Sequence, residues 1–332
     1  MSKSRRSLGI HVETWSLREP FVFAGQHWTD SALLVVEIRD GDVVGVGEAY
    51  GVYYFGETTA SMQGQVESVA DAIIAGADRQ RLQTLLPRGG ARNALDCALW
   101  DLESKLEKRS AWDLAGVSCA PARTVLTVGM KPEPRQMAEY AAAHPDFGIL
   151  KVKVTADRPV ERMAAIRAAR PDARLLMDAN QSWTLALLHD VEPALLDLGV
   201  EMIEQPLPRD ADAALRDYRG SVALCADESC QDRTELEAVA GRYRMISIKL
   251  DKTGGLTEGL SLAHAARGLG LKLTIGTMPG TSRAMAAAHV LSQLAEYSDL
   301  DAPLLFRWDH AHAVHYERDQ VTIRDRESWG LP

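Results

Sequence analysis

The sequence is short of cysteine, has no long apolar run and carries no surplus of positive charge. Each shortage closes off a class of protein. Four cysteines in 332 residues, Cys97, Cys119, Cys225 and Cys230, include no Cys-x-x-Cys pair, so neither a disulfide framework nor a thiolate metal site is expected. Reduced, buried thiols without a chemical role are the expectation. No stretch approaches the run of about 18 apolar residues that a membrane span requires, so no membrane partner is expected. The basic start MSKSRR is followed by SLGIHVETW where a secretory leader would carry an apolar segment, and a cytoplasmic location is expected. Lysine and arginine number 37 against 46 acids, a net charge of −9. A nucleic-acid partner is not expected, because phosphate binding needs a basic surface.

What is present is the composition of a packed globular protein, 46% hydrophobic and 25% charged. Residues 1–115 read as an α+β unit. Leu33–Arg39 and Val43–Ala49 are β-rich runs around the turn Asp40-Gly41-Asp42, a hairpin pattern. Ala91–Lys105 places Ala94, Leu95, Ala98, Leu99 and Leu102 at helical spacing. Residues 116–314 alternate strictly between short β-rich runs and alanine-rich amphipathic segments, with β-rich runs such as Leu150–Val154, Leu175–Asp178 and Ile246–Leu250. Seven or eight such units predict a modified (β/α) barrel, (β/α)7β-like, capped by the N-terminal α+β unit. The polar tail, residues 315–332, is expected to fold back on the first unit.

The chemistry lies where the runs end. Lys153, Asp178, Glu204, Asp227 and Lys249 follow one another at intervals of 25, 26, 23 and 22 residues. One βα unit per interval brings all five to the C-terminal mouth of the barrel, where barrel active sites are built. Three carboxylates from adjacent strands would repel one another unless a hard divalent cation, such as Mg²⁺, were shared among them. Single acids at strand ends are commonly paired with a nearby base; three in register are harder to explain that way. The second and sixth strands face each other across the mouth, so Lys153 and Lys249 would meet opposite faces of a molecule held between them. Alternation in Lys151-Val152-Lys153 also turns Lys151 inward. A positive neighbour and a metal ion would both favour the neutral form of Lys153, which a base requires.

The strings KVKV (151–154), MDANQSW (177–183), IEQP (203–206), ADES (226–229) and IKLDKTGGLTE (248–258) resemble the muconate-lactonizing subgroup of the enolase superfamily. The resemblance runs through ARNALDCALWDL in the first unit and TSRA (281–284) after the seventh strand. Asp299-Leu300-Asp301, where an eighth strand should end, is similar to the Asp-x-Asp with which dipeptide epimerases hold the substrate ammonium. The resemblance implies one Mg²⁺, with Mn²⁺ as a substitute, on Asp178, Glu204 and Asp227. It further implies Lys153 and Lys249 as the base and acid that invert the α-carbon of the C-terminal residue of an L,L-dipeptide through an enediolate. Lys151, Asn180 and Asp251 are implied to orient the others, and a homo-oligomer is expected.

Members specific for Ala-Glu carry an arginine in the first-domain loop over the mouth. Here that stretch, EPFVFAGQHWTDS (19–31), has none, and Arg18, just before it, is misplaced by several residues. Gln26, His27 and Trp28 stand there, with Tyr50, Tyr53, Tyr54 and Phe55 in a second capping stretch and Met278 after the seventh strand. His27, Trp28, Tyr53 and Met278 are therefore expected to touch the substrate and to favour an apolar or aromatic second residue over glutamate.

Other signals carry less. His310, His312 and His315 lie past the last strand with no matched acids or cysteines, a surface segment. Gly45-Val-Gly47-Glu-Ala-Tyr-Gly51 misses a nucleotide-loop spacing by one residue, and Lys252-Thr253-Gly254 lacks the Ser-x-x-Lys partner of a β-lactamase signature. Two alternatives stay open: an N-acylamino-acid racemase or o-succinylbenzoate synthase, and a non-catalytic binding protein on the same fold.

Overall fold

A computed structural model of the chain describes residues 6–23, 26–325 and 327–332. The N-terminal unit opens with an antiparallel sheet of Arg6–Phe23, Gln26–Asp40 and Val43–Ala49, in that spatial order. The turn at residues 40–42 joins the second and third strands, with Gly41 in the left-handed region at φ +62°. The inner face of the sheet, Leu34, Val36 and Ile38, packs on the helix Gly90–Glu107. Gly45 and Gly47 explain themselves here. A Cβ on either would fall 2.1–2.2 Å from a helix carbonyl, of Ala94 or Ala98, so these glycines let strand and helix touch and bind no phosphate.

From Leu126 onward, eight parallel strands pair in chain order. They are Leu126–Val128, Ile149–Lys153, Arg174–Asp178, Val200–Glu204, Ala223–Ala226, Met245–Ile248, Lys272–Ile275 and Tyr297–Ser298. The Val125 amide donates to the Ser298 carbonyl at 2.9 Å, joining the last strand to the first. Inward side chains at the N-terminal end, among them Ile149, Leu176, Met202 and Met245, fill the interior. That leaves the C-terminal ends of the strands to carry polar groups. Among the described residues no helix is long and apolar enough to cross a membrane.

The N-terminal unit is fastened to the barrel by polar groups that water cannot reach. Arg92 donates to the carbonyls of Thr253 (2.6 Å) and Gly254 (3.1 Å), and Trp100 Nε1 donates to Thr257 Oγ1 at 2.9 Å. The C-terminal end joins in: Trp329 Nε1 donates to the Cys97 carbonyl at 3.1 Å and the Gly330 amide to Asp101 Oδ1 at 2.9 Å.

Glu48 is the most exacting of these ties. Its carboxyl accepts from the Thr281 amide at 2.7 Å and meets Thr281 Oγ1 at 2.6 Å, at the start of the helix Ser282–Ser292. Burial pushes its pKa up to about 7, against the pull of the Thr281 hydrogen bonds. The unfolded value is near that of an ordinary glutamate, about 4.3. The folded state therefore holds this proton more tightly, and Glu48 costs stability progressively as pH rises from about 4.5 to 7. Glu48→Gln keeps the shape and removes the cost. The melting temperature of E48Q relative to wild type should rise between pH 5 and pH 8, by up to about 3 kcal/mol in stability. A difference constant across that range would mean that Glu48 is ionised throughout.

Candidate active site

Each of the five regularly spaced residues closes or follows a barrel strand, and all five meet at the mouth. Lys153 Nζ donates to Asp178 Oδ2 at 2.6 Å, and Lys249 Nζ to Asp227 Oδ2 at 2.7 Å. Lys151 lies between, 3.0 Å from both Glu204 Oε2 and Asp299 Oδ2 and 3.5 Å from Asp178 Oδ2. Gly276 makes room for Lys249, since a Cβ there would come within 2.8 Å of Lys249 Cε.

Burial and opposite charge compete at every group. Burial alone would raise the Asp227 pKa, but Lys249 and Lys252 outweigh it and hold the carboxyl far below its usual range. Asp178 is lowered too, Lys153 and Lys151 outweighing burial. Glu204 goes the other way, because burial and the charges of Asp178 and Asp227 exceed the help from Lys151. Burial pulls Lys151 and Lys249 down, yet the carboxylates around them raise both well above an ordinary lysine. At Lys249 the nearest of those carboxylates, Asp227, contributes most.

Among the described residues, no three acid, histidine or cysteine side chains converge on one metal-sized point. Each of the three acids faces an ammonium group instead. The donor set still suits a hard cation: three buried carboxylates on neighbouring strand ends, with neither oxygen of Glu204 in a hydrogen bond. Glu204 has Lys151 as its ion-pair partner at 3.0 Å, but a buried carboxylate whose oxygens lack hydrogen bonds is costly and is a natural place for a cation to bind.

Above these groups lies a cavity of about 750 Å³, open to solvent. Lys153 and Lys249 line it, with Asn180 and Glu228. One wall is Asp299, Asp301 and Thr127; the roof is apolar, from Leu17, Phe21, Trp28, Tyr53, Tyr54 and Phe306. Trp28 stands edge-on to Tyr53 at 5.7 Å and tilted against Tyr50 at 5.3 Å. Met278 also lines the cavity. Among the described residues, Lys153 and Lys249 are its only cationic side chains.

The two acids of the wall share one environment. The Thr127 amide donates to Asp301 Oδ2 at 2.6 Å, and its hydroxyl lies 3.3 Å from Asp299 Oδ1 and 3.2 Å from Asp301 Oδ1. Burial and then the charge of Asp299 raise Asp301 well above its usual range. Asp299, half-buried, is lowered instead, Lys151 outweighing the desolvation that would raise it.

Residues 134–327 match the enolase C-terminal domain-like family, and residues 5–116 match the mandelate racemase / muconate lactonizing enzyme N-terminal domain. The chain belongs to the enolase superfamily. It is 42% identical over 320 residues to the L-Ala-D/L-Glu epimerase of Escherichia coli K12, covering 96% of this chain and all of that protein. An Agrobacterium tumefaciens enolase-family protein with homology to dipeptide epimerases, solved with sodium and L-Ala-L-Glu, superposes with a TM-score of 0.95. It is 37% identical and covers 98% of this chain and 100% of its own. A dipeptide epimerase from Enterococcus faecalis, complexed with Mg and L-Leu-L-Tyr, gives a TM-score of 0.91 at 27% identity, with 99% of each chain covered.

Two expectations for this superfamily member need correction. Asp251 was expected to orient the site, but its Oδ1 accepts the Gly51 amide at 2.7 Å and so ties the N-terminal unit to the barrel. The strand ends at Ile248, Lys249 follows it and Leu250–Thr253 is a helical turn, so the alternation that would aim residue 251 into the mouth has stopped. His27 is exposed and does not line the cavity. It alternates with Trp28 along one strand, and only one of two neighbours can face inward. Arg18 is exposed and lines an adjoining groove with Lys131 and Tyr140. The Gln26 side chain lies outside the described residues.

Three residues of the site went unread in the sequence. Glu228 is buried in the cavity lining, with Oε2 unpaired and its pKa pushed up to about 8 by burial, then by Asp227 and Asp178. Gln205, at φ +37°, accepts from the amides of Asp227 (2.9 Å) and Ser229 (3.0 Å) and so shapes the loop that bears Asp227. Lys252 is the third. Only the strings ADES, IEQP and KLDKTGG hinted at them.

Proposed function

We propose that this protein is a Mg²⁺-dependent dipeptide epimerase that inverts the α-carbon of the C-terminal residue of an L,L-dipeptide. The observation that carries the reading is the pairing of two lysines, from the second and sixth strands, with an Asp299–Asp301 wall in one cavity. A dipeptide bound with its ammonium at that wall would present its other end to Lys153 and Lys249. One lysine removes the α-proton, and the other returns a proton to the opposite face. Asp178, Glu204 and Asp227 would hold Mg²⁺, which when bound supplies Lewis acidity toward the substrate carboxylate. Lys151 neutralises Glu204 and Asp299 and keeps the floor of the site from repelling an anion. Asn180 fixes Asp178, its backbone N–H donating to Oδ1 at 3.0 Å. Four free thiols, three of them buried, suit the reducing cytoplasm that we propose as the location.

The roof supports an apolar or aromatic second residue. A glutamate side chain would need a cation, and both cations of the cavity are committed to the reaction. Epimerisation of L-Ala-L-Xaa and L-Leu-L-Xaa series, followed by chiral chromatography with Mg²⁺ present, tests this. Higher kcat/KM for Leu, Phe or Tyr than for Glu is expected. Turnover of Ala-Glu alone would overturn the specificity, and turnover of none would overturn the activity. Trp28→Ala should cost the aromatic substrates about tenfold more in kcat/KM than it costs L-Ala-L-Ala, the scale of one lost apolar contact surface. An equal loss on both would remove Trp28 from the specificity pocket.

A further inference from the structure

Lys252 is a wholly enclosed lysine that the mechanism above leaves unused. Its side chain has no exposure at all. Nζ lies within hydrogen-bond distance of four oxygens: the Asp227 carbonyl at 2.6 Å, Asp227 Oδ1 at 2.7 Å, the Ser247 carbonyl at 2.8 Å and the Cys230 carbonyl at 2.9 Å. An ammonium has three N–H donors, so this one has none to spare and no path to a substrate. Lys249 differs in both respects, since it lines the cavity and donates to the other oxygen, Asp227 Oδ2.

The two lysines therefore divide one carboxylate. Oδ1 is held by the enclosed Lys252; Oδ2 is held by Lys249, which lines the cavity. Lys252 also ties the end of the fifth strand, through Asp227 and Cys230, to the sixth at Ser247. We propose that Lys252 is a positioning residue that makes Asp227 a one-oxygen ligand, through Oδ2 alone, and so sets the affinity of the site for its divalent cation. This rests on the metal reading above.

The proposal makes a prediction opposite in sign to simple electrostatics. Removing a positive charge next to a carboxylate site should, on charge alone, tighten Mg²⁺ binding. If Lys252 positions Asp227, removal should weaken it by about 10- to 100-fold, as loss of a supporting hydrogen bond does at metal sites. The test is calorimetric titration of Mg²⁺ alone into wild type and Lys252→Met, with circular dichroism to establish that the variant is folded. Weaker binding by folded K252M is the expected result; equal or tighter binding overturns the proposal. A crystal structure of the wild-type protein soaked in Mg²⁺ decides the matter even if K252M does not fold. Mg²⁺ on Oδ2 with Lys252 still on Oδ1 is expected, and both oxygens on the metal, or Lys252 displaced, would overturn it. Wild type that binds no Mg²⁺ would instead defeat the metal reading itself, and the role of Lys252 with it.

Discussion

Lys153→Ala and Lys249→Ala should each lower the rate of epimerisation by about a thousandfold or more, within the range that proton transfer by a placed side chain supplies. The two variants should nonetheless differ from each other. The lysines close opposite strands of the ring and both line the cavity, so each addresses one face of a bound α-carbon. A variant that keeps one lysine can still remove and return a proton on that face. In D₂O it should exchange the α-hydrogen of one epimer without inverting it, and the other variant should do the same for the other epimer. NMR of L,L and L,D dipeptides with each variant reads this directly. Loss of exchange on both epimers in both variants would mean that the lysines act on one face, or as charges only.

The second large effect concerns the amino end of the substrate. Acetylating the dipeptide nitrogen should lower kcat/KM by about 2–5 kcal/mol, or roughly 30-fold to several thousandfold, since it removes one partner of a buried charge pair. Asp301 is buried and Asp299 half-buried in the cavity wall, and of the two only Asp299 meets Lys151 among the described residues. Among the described residues Asp301 has no ion-pair partner; it is held by Thr127 and pushed up by burial and then by Asp299. An incoming ammonium would give the pair its missing cation, whereas an acyl group would bury two carboxyls against an apolar tail. Asp301→Asn should reduce this preference for a free amine. An N-acetyl substrate turned over as well as the free dipeptide would favour the racemase alternative.

Much of this site was legible in the sequence because a barrel converts spacing into geometry. Regular intervals between Lys153, Asp178, Glu204, Asp227 and Lys249 were enough to place five side chains around one mouth. The reading lost accuracy where the strand period stopped. Asp251 follows Lys249 by two residues, but the chain has already turned helical at Leu250–Thr253, so it faces the first unit. Lys252 gains its place from that same turn, which brings it back beneath Asp227. Glu228 follows Asp227 directly, and both come after the strand Ala223–Ala226 has ended, so strict alternation no longer separates them. The long strand Arg6–Phe23 was missed for another reason. It is the edge of its sheet, and the exposed polar residues along it dilute the apolar pattern that marks a strand.

The central claim is proton exchange at one carbon by two opposed lysines, and deuterium uptake tests it most directly. The wild-type protein with Mg²⁺ in D₂O, given L-Leu-L-Tyr or L-Ala-L-Phe, should place one deuteron on the α-carbon of the C-terminal residue. The N-terminal α-carbon should stay protiated, and the L,D epimer should appear alongside. Uptake at neither carbon, across apolar, acidic and basic dipeptides, would contradict the account and leave a metal-binding protein on an enzyme fold.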